Sequence, residues 1–99
     1  MVKHIVMFKL KETLSKEEKM VVMNDFKAAI EALPAEISVI RKVFVGLNIN
    51  ESEAWDICLE SEFDSLDDVK TYATHPAHVA AGSLLADAKE SRSCVDFEI

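Results

Sequence analysis

Three histidines and one tyrosine are the side chains in this sequence that could carry chemistry. His4 lies in an alternating run at the start of the chain, on the side shared with Val6 and Phe8, and the junction His75-Pro76-Ala77-His78 follows closely on Tyr72. A neutral imidazole can take a proton near pH 7, and a phenol can hydrogen-bond a developing oxyanion. If the His4 side of its strand looks toward the helices, His4 and His78 approach one another across the gap between sheet and helices. Each residue also has a structural role open to it. A strand histidine among apolar neighbours is often a hydrogen-bonded core residue, His75 before a proline can cap a helix, and Tyr72 can be a half-buried packing residue.

Other constellations are weaker. His75 and His78 are three apart, a spacing that can share one helix face, but Pro76 disturbs the turn and no Asp, Glu or Cys lies close in sequence to complete a metal set. Asp56, Glu60 and Glu62 read as a solvated strand face or dimer rim rather than an acid/base pair, and the four methionines as core filler. With only two glycines and no P-loop, G-x-G-x-x-G or nucleophile elbow, the sequence argues against phosphate cradling. Cys58 and Cys94 form no C-x-x-C pair and read as free thiols packed as small hydrophobes in a reducing compartment.

The elements that must position these residues can be read from periodicity. Val2 to Lys11 alternates as a strand whose middle is apolar on both faces. Ser15 to Leu33 reads as a helix, opened by a Ser15–Glu18 capping box, carried by Met23, Phe26, Ile30 and Leu33, and stopped by Pro34. Ile37 to Ile49 is rich in β-branched residues and reads as a long strand with Gly46 as a bend or bulge. Ala54 to Phe63 is the next strand, with Trp55, Ile57, Leu59 and Phe63 on one face. Ser65 caps a short helix with Leu66, Val69 and Tyr72 on one stripe. Pro76 starts another that carries Val79, Leu84, Leu85 and Ala88, weakened by Gly82. Ser93 to Ile99 is the last strand, with Val95, Phe97 and Ile99 on one face.

The order β-α-β-β-α-β predicts an α+β class protomer of ferredoxin-like form over residues 1–99, a four-stranded antiparallel sheet with helices on one face. A single domain of 99 residues leaves apolar surface uncovered, and Ile5 and Met7 would be wet on the other face. Pairing two such faces in a homodimer removes that exposure at roughly 25 cal/mol per Å². The net charge of −7 and pI near 4.8 argue against nucleic acid and anionic membranes as partners. No apolar stretch is long enough to span a bilayer and no signal peptide is evident, so the expected location is cytoplasmic.

Taken together, Val2-Lys3-His4-Ile5-Val6-Met7-Phe8-Lys9-Leu10-Lys11, Gly46-Leu47-Asn48, Tyr72 with His75-Pro76-Ala77-His78, and Val95-Asp96-Phe97 resemble the stress-responsive A/B barrel domain (Dabb) family over nearly the whole chain. The resemblance implies a dimeric α+β barrel built from two ferredoxin-like protomers. Most of the family has no assigned reaction, and one plant cyclase in it closes a linear polyketide by aldol condensation without a cofactor. By resemblance to that enzyme, His78 would be the general base, Tyr72 would steady the substrate carbonyl and His4 would orient the substrate or its partner groups. The pocket would be lined by Val6, Phe8, Val22, Met23, Phe26, Ile30 and Val79. Phe26 replaces a pocket tyrosine, Ala81 a bulky aromatic and Lys89 a tryptophan, so that enzyme's substrate does not transfer. Some members of the family bind magnesium near the dimer interface, but no residue pattern here requires a metal or cofactor.

Three functions follow as expectations. The first is a non-catalytic homodimer that binds a small apolar or carbonyl-containing molecule. The second is a cofactor-independent cyclase, isomerase or lyase with His78 as base. The third, by fold analogy alone, is a haem- or quinol-directed monooxygenase.

Overall fold

Alternating burial along β1 (Val2–Leu10) sets the frame of the fold. Val2, His4, Val6, Phe8 and Leu10 are buried, while Lys3, Ile5, Met7 and Lys9 on the other face are half-buried. The computed structural model describes residues 1–99, with β1 followed by α1 (Lys16–Glu31), a 3-10 turn (Leu33–Ala35), β2 (Lys42–Leu47), β3 (Ile57–Phe63), α2 (Leu66–Thr74), α3 (Pro76–Ser83) and β4 (Lys89–Glu98). The sheet is antiparallel in the order β2-β3-β1-β4, so β1 is an inner strand between β3 and β4. This is the ferredoxin-like arrangement expected from the element order.

The helices begin where the caps place them. Ser15 Oγ accepts from the Glu18 amide at 3.1 Å and Glu18 returns the bond to the Ser15 amide at 2.9 Å, closing the capping box. Met23, Phe26 and Ile30 are the buried stripe of α1, and Phe26 meets Phe8 of β1 edge-on at 5.5 Å between centroids. Helix α1 packs against β2 and α3, and α2 against β3 and α3. All of β4 is exposed apart from half-buried Ser91, because the helices stop short of this edge strand.

Several boundaries differ from those the sequence suggests. Helix α1 ends at Glu31, and Leu33 belongs to the 3-10 turn that Pro34 enters. Strand β2 starts at Lys42, not Ile37: Ile37 and Ile40 are buried in the core from the preceding turns, so their β-branched character reflects burial rather than strand. Gly46 is no bulge, since it pairs in register with Cys58; the irregularity in the ladders lies instead at Lys9/Leu10, where β1 meets β4. Strand β3 starts at Ile57 rather than Ala54. Helix α3 ends at Ser83, leaving Leu84, Leu85 and Ala88 in turns, and β4 begins four residues before Ser93, at Lys89. Leu66, assigned to the buried stripe of α2, is exposed.

The face of the sheet away from the helices carries Ile5, Met7, Phe44, Val95 and Phe97, of which the last three are exposed. Both cysteines are free, Cys94 is exposed rather than packed as a core hydrophobe, and no helix is long and apolar enough to cross a membrane.

Candidate active site

Tyr72 and His78 are brought together because α2 and α3 share a single joining residue. His75 is extended, as the residue before a proline is driven to be, and it ends α2 and caps α3 at once. Its Nδ1 accepts from the Ala77 amide at 3.1 Å, and Pro76 takes the first position of α3, where its missing N–H costs nothing. His75 is therefore a capping residue. The sharp turn it makes folds the His78 ring back onto Tyr72, 4.3 Å between centroids.

The state of His78 follows from its partner. The Ala73 carbonyl can only accept, so His78 Nδ1–H donates to it at 3.0 Å, and Nε2 keeps its lone pair. His78 is half-buried; burial holds its pKa below the ordinary 6.5, assisted by the positive charge of Arg92, although the Ala73 bond pulls the other way. The result is an imidazole that is neutral at pH 7 with one basic nitrogen unengaged.

Tyr72 is 1 % exposed, and its hydroxyl is buried without a hydrogen-bond partner. Burial pushes the phenol well above its usual range, so it stays protonated and is a donor with nothing to donate to. Phe63 and His4 complete the aromatic group, 5.1 Å and 6.1 Å from the Tyr72 ring.

His4 reaches this group from the sheet. The β1–β4 register sets it opposite Asp96, and Nδ1–H donates to Asp96 Oδ1 at 2.5 Å. A carboxylate on Nδ1 fixes the tautomer and leaves Nε2 without a protein partner. The same register puts Cys94 opposite Val6 and Arg92 opposite Phe8, on the helix side of β4. Cys94 Sγ lies 3.6 Å from His4 Nδ1. Burial and the Asp96 charge raise the thiol pKa, with Arg92 opposing.

The structure thus brings His4, Tyr72 and His78 into one cluster. Val6, Phe8, Met23, Phe26 and Ile30 are buried in the packed core beside it, with half-buried Val22 against them, whereas Val79 is 58 % exposed on the outer side of α3. A cavity of about 570 Å³ next to Asp96 is bounded by Val2, Ser65, Leu66 and Phe97 and does not reach Tyr72 or His78. Neither His75 nor His78 belongs to a group of three His, Cys, Asp or Glu side chains close enough together to hold a metal ion. Arg92, Cys94 and Asp96 were missed from sequence. Their signal was alternation on the last strand, where they occupy the side opposite Val95 and Phe97, but only the pairing with β1 shows that this side holds His4.

Comparison with known proteins agrees with this architecture. A dimeric ferredoxin-like protein of unknown function from Bacteroides fragilis superposes with a TM-score of 0.98 at 69% identity, covering 99% of this chain and 95% of its own. An uncharacterised protein of Streptomyces coelicolor is 33% identical over 85 residues, 85% of this chain and 86% of that protein. Olivetolic acid cyclase of Cannabis sativa is 24% identical over 99 residues, 97% of this chain and 94% of the cyclase. The family model for the stress responsive A/B barrel domain matches residues 2–99, a span that takes in every strand and helix that builds the His4–Tyr72–His78 cluster. The chain belongs to the stress responsive A/B barrel domain (Dabb) family.

Proposed function

We propose that the chain works as a homodimer in which each protomer binds a small carbonyl compound at Tyr72 and His78 and moves a proton on the carbon next to that carbonyl, as a cofactor-independent cyclase, isomerase or lyase would. One observation carries this: the ring of Tyr72, whose buried O–H has no partner, packs against an imidazole whose Nδ1 is engaged and whose Nε2 is left as the basic nitrogen. A hydroxyl left unpaired in the interior costs about 1–3 kcal/mol, and a substrate oxygen recovers that cost.

In this scheme His78 Nε2 takes the proton from carbon and the electron pair of the C–H bond moves onto the carbonyl oxygen. Tyr72 donates to the resulting enolate oxygen. The enolate carbon then takes the proton back from the imidazolium, or attacks a second carbonyl to close a ring, the alkoxide so formed taking that proton from the imidazolium. Asp96 holds the His4 ring, which positions the substrate from the sheet side. Because Tyr72 is buried, this scheme requires a neighbouring segment to yield, and the eight-residue α3, with Gly82 in its last turn, is the one that would do so. Of the three positions at which the resemblance implies a replaced aromatic, Phe26 and Ala81 are buried and Lys89 is exposed.

The dimer rests on the open apolar face and on the dimeric state of the Bacteroides fragilis relative. Sedimentation at micromolar concentration is expected to give a dimer, and Val95→Asp a monomer.

The activity test is hydrogen–deuterium exchange at the α-carbon of a panel of ketones and β-dicarbonyl compounds, followed by NMR. Loss of a general base lowers such rates by about 10²–10⁴-fold, so His78→Ala is expected to fall to background while circular dichroism stays unchanged. Equal rates in wild type and His78→Ala across the panel would contradict the proposal.

A further inference from the structure

The side chains of His4, Cys94 and Asp96 converge on one point at the edge of the sheet, and we propose that they form a three-ligand site for a zinc-class divalent cation with its fourth position open to solvent. One nitrogen, one sulfur and one oxygen atom lie within 4.8 Å of one another.

The arrangement is that of a chelate and not of a nucleophilic relay. A relay sets its thiol on one ring nitrogen and its carboxylate on the other. Here both face the same atom, with Asp96 Oδ1 at 2.5 Å and Cys94 Sγ at 3.6 Å from His4 Nδ1. Bond lengths to tetrahedral zinc place ligand nitrogen and sulfur roughly 3.6 Å apart and ligand nitrogen and oxygen roughly 3.4 Å apart. The sulfur already stands at its distance. The carboxylate has to withdraw by somewhat less than roughly 1 Å to reach the spacing those bond lengths set, and its side chain, 29% exposed on an edge strand, has room to do so.

Charge and softness favour the same ion. A thiolate, a carboxylate and a neutral imidazole sum to −2, which a divalent cation cancels. Imidazole with thiolate selects zinc over magnesium or calcium. On binding, Cys94 releases its thiol proton to solvent, and the His4 proton passes from Nδ1 to Nε2, so one proton leaves per metal. Nε2 of His4 thereby changes from acceptor to donor. The ligands come from two paired strands in register, so the frame is rigid, and Cys94 and Asp96 are exposed on the side where no helix covers β4. The site does not depend on His78 acting as a base.

Cobalt(II) titration tests this directly, because tetrahedral cobalt–thiolate centres absorb strongly in the visible and show sulfur-to-cobalt charge transfer in the near ultraviolet. The full-length wild type and Cys58→Ser are expected to show both bands, saturating at one equivalent per chain and bleached by added zinc. Cys94→Ser is expected to lose the charge-transfer band, and Asp96→Asn to bind at least about tenfold more weakly, since loss of even an outer-shell partner costs that much. No saturable band in wild type, an unchanged charge-transfer band in Cys94→Ser, or unchanged affinity in Asp96→Asn would each overturn the proposal.

Discussion

The helix side of the sheet is two different environments. Over β3 and β1 it is sealed: Leu10, Ile57, Phe63 and Tyr72 are fully or almost fully buried beneath the helices. Over β4, one strand away on the same side, Arg92, Cys94, Asp96 and Glu98 are all exposed. The covered part has the packing and the desolvation, and the bare part has the charge and the access. The candidate chemistry lies on the seam, where a buried histidine is held by a carboxylate that solvent can reach. A uniformly covered sheet would have no entry, and a uniformly bare one could not keep a phenol unpaired or an imidazole neutral.

The largest effect separating the two parts is expected in the sealed one. Phe63→Ala removes a fully buried ring from contact with Tyr72 and is expected to cost about 3–5 kcal/mol in urea unfolding. Tyr72→Phe acts in the same place with the opposite sign. Deleting a buried hydroxyl that has no partner is expected to stabilise the fold by about 1–3 kcal/mol while lowering exchange activity by about 10²–10³-fold. A stability gain coupled to an activity loss distinguishes an oxyanion donor from a packing tyrosine; loss of both would show that the hydroxyl supports the fold.

Acidity gives the next contrast. The folded pKa of His78 is below 6.5, so the folded chain binds fewer protons there than the unfolded chain, and stability is lost as pH falls through 6.5 toward the folded value. His78→Gln is expected to flatten the slope of unfolding free energy against pH in that window. The smallest effect belongs to the bare strand. Arg92→Ala is expected to change stability by no more than about 0.5 kcal/mol. It nevertheless removes a charge that depresses the His78 pKa, so the rising limb of the pH–activity curve should move to higher pH.

The sealed part was largely legible in the sequence and the seam was not. Local signals gave the Ser15–Glu18 cap, the Met23, Phe26 and Ile30 stripe, Pro76 at the start of its helix and the alternation that buries His4, because each is written within a few residues. The cluster of His4, Tyr72 and His78 could be anticipated only as a condition on which way β1 faces. The partners on β4 lie some ninety positions from His4, and nothing local records their pairing. Burial also misled, as Ile37 and Ile40 look like strand and are core residues of a turn. Cys94 looks like core and is an exposed thiol beside an imidazole. The open face was readable from the alternation of the first strand, which sets Ile5 and Met7 on the side away from His4, Val6 and Phe8; that Val95 and Phe97 share this face follows only from the pairing with β4.

The account depends most on the protonation of His78, and long-range proton–nitrogen correlation NMR of the labelled protein reads this without any ligand. At pH 7 the ring is expected as the neutral Nδ1–H tautomer, with a titration midpoint below 6.5. A ring protonated on Nε2, or a midpoint above 6.5, would leave Tyr72 without a base beside it and contradict the proposed chemistry.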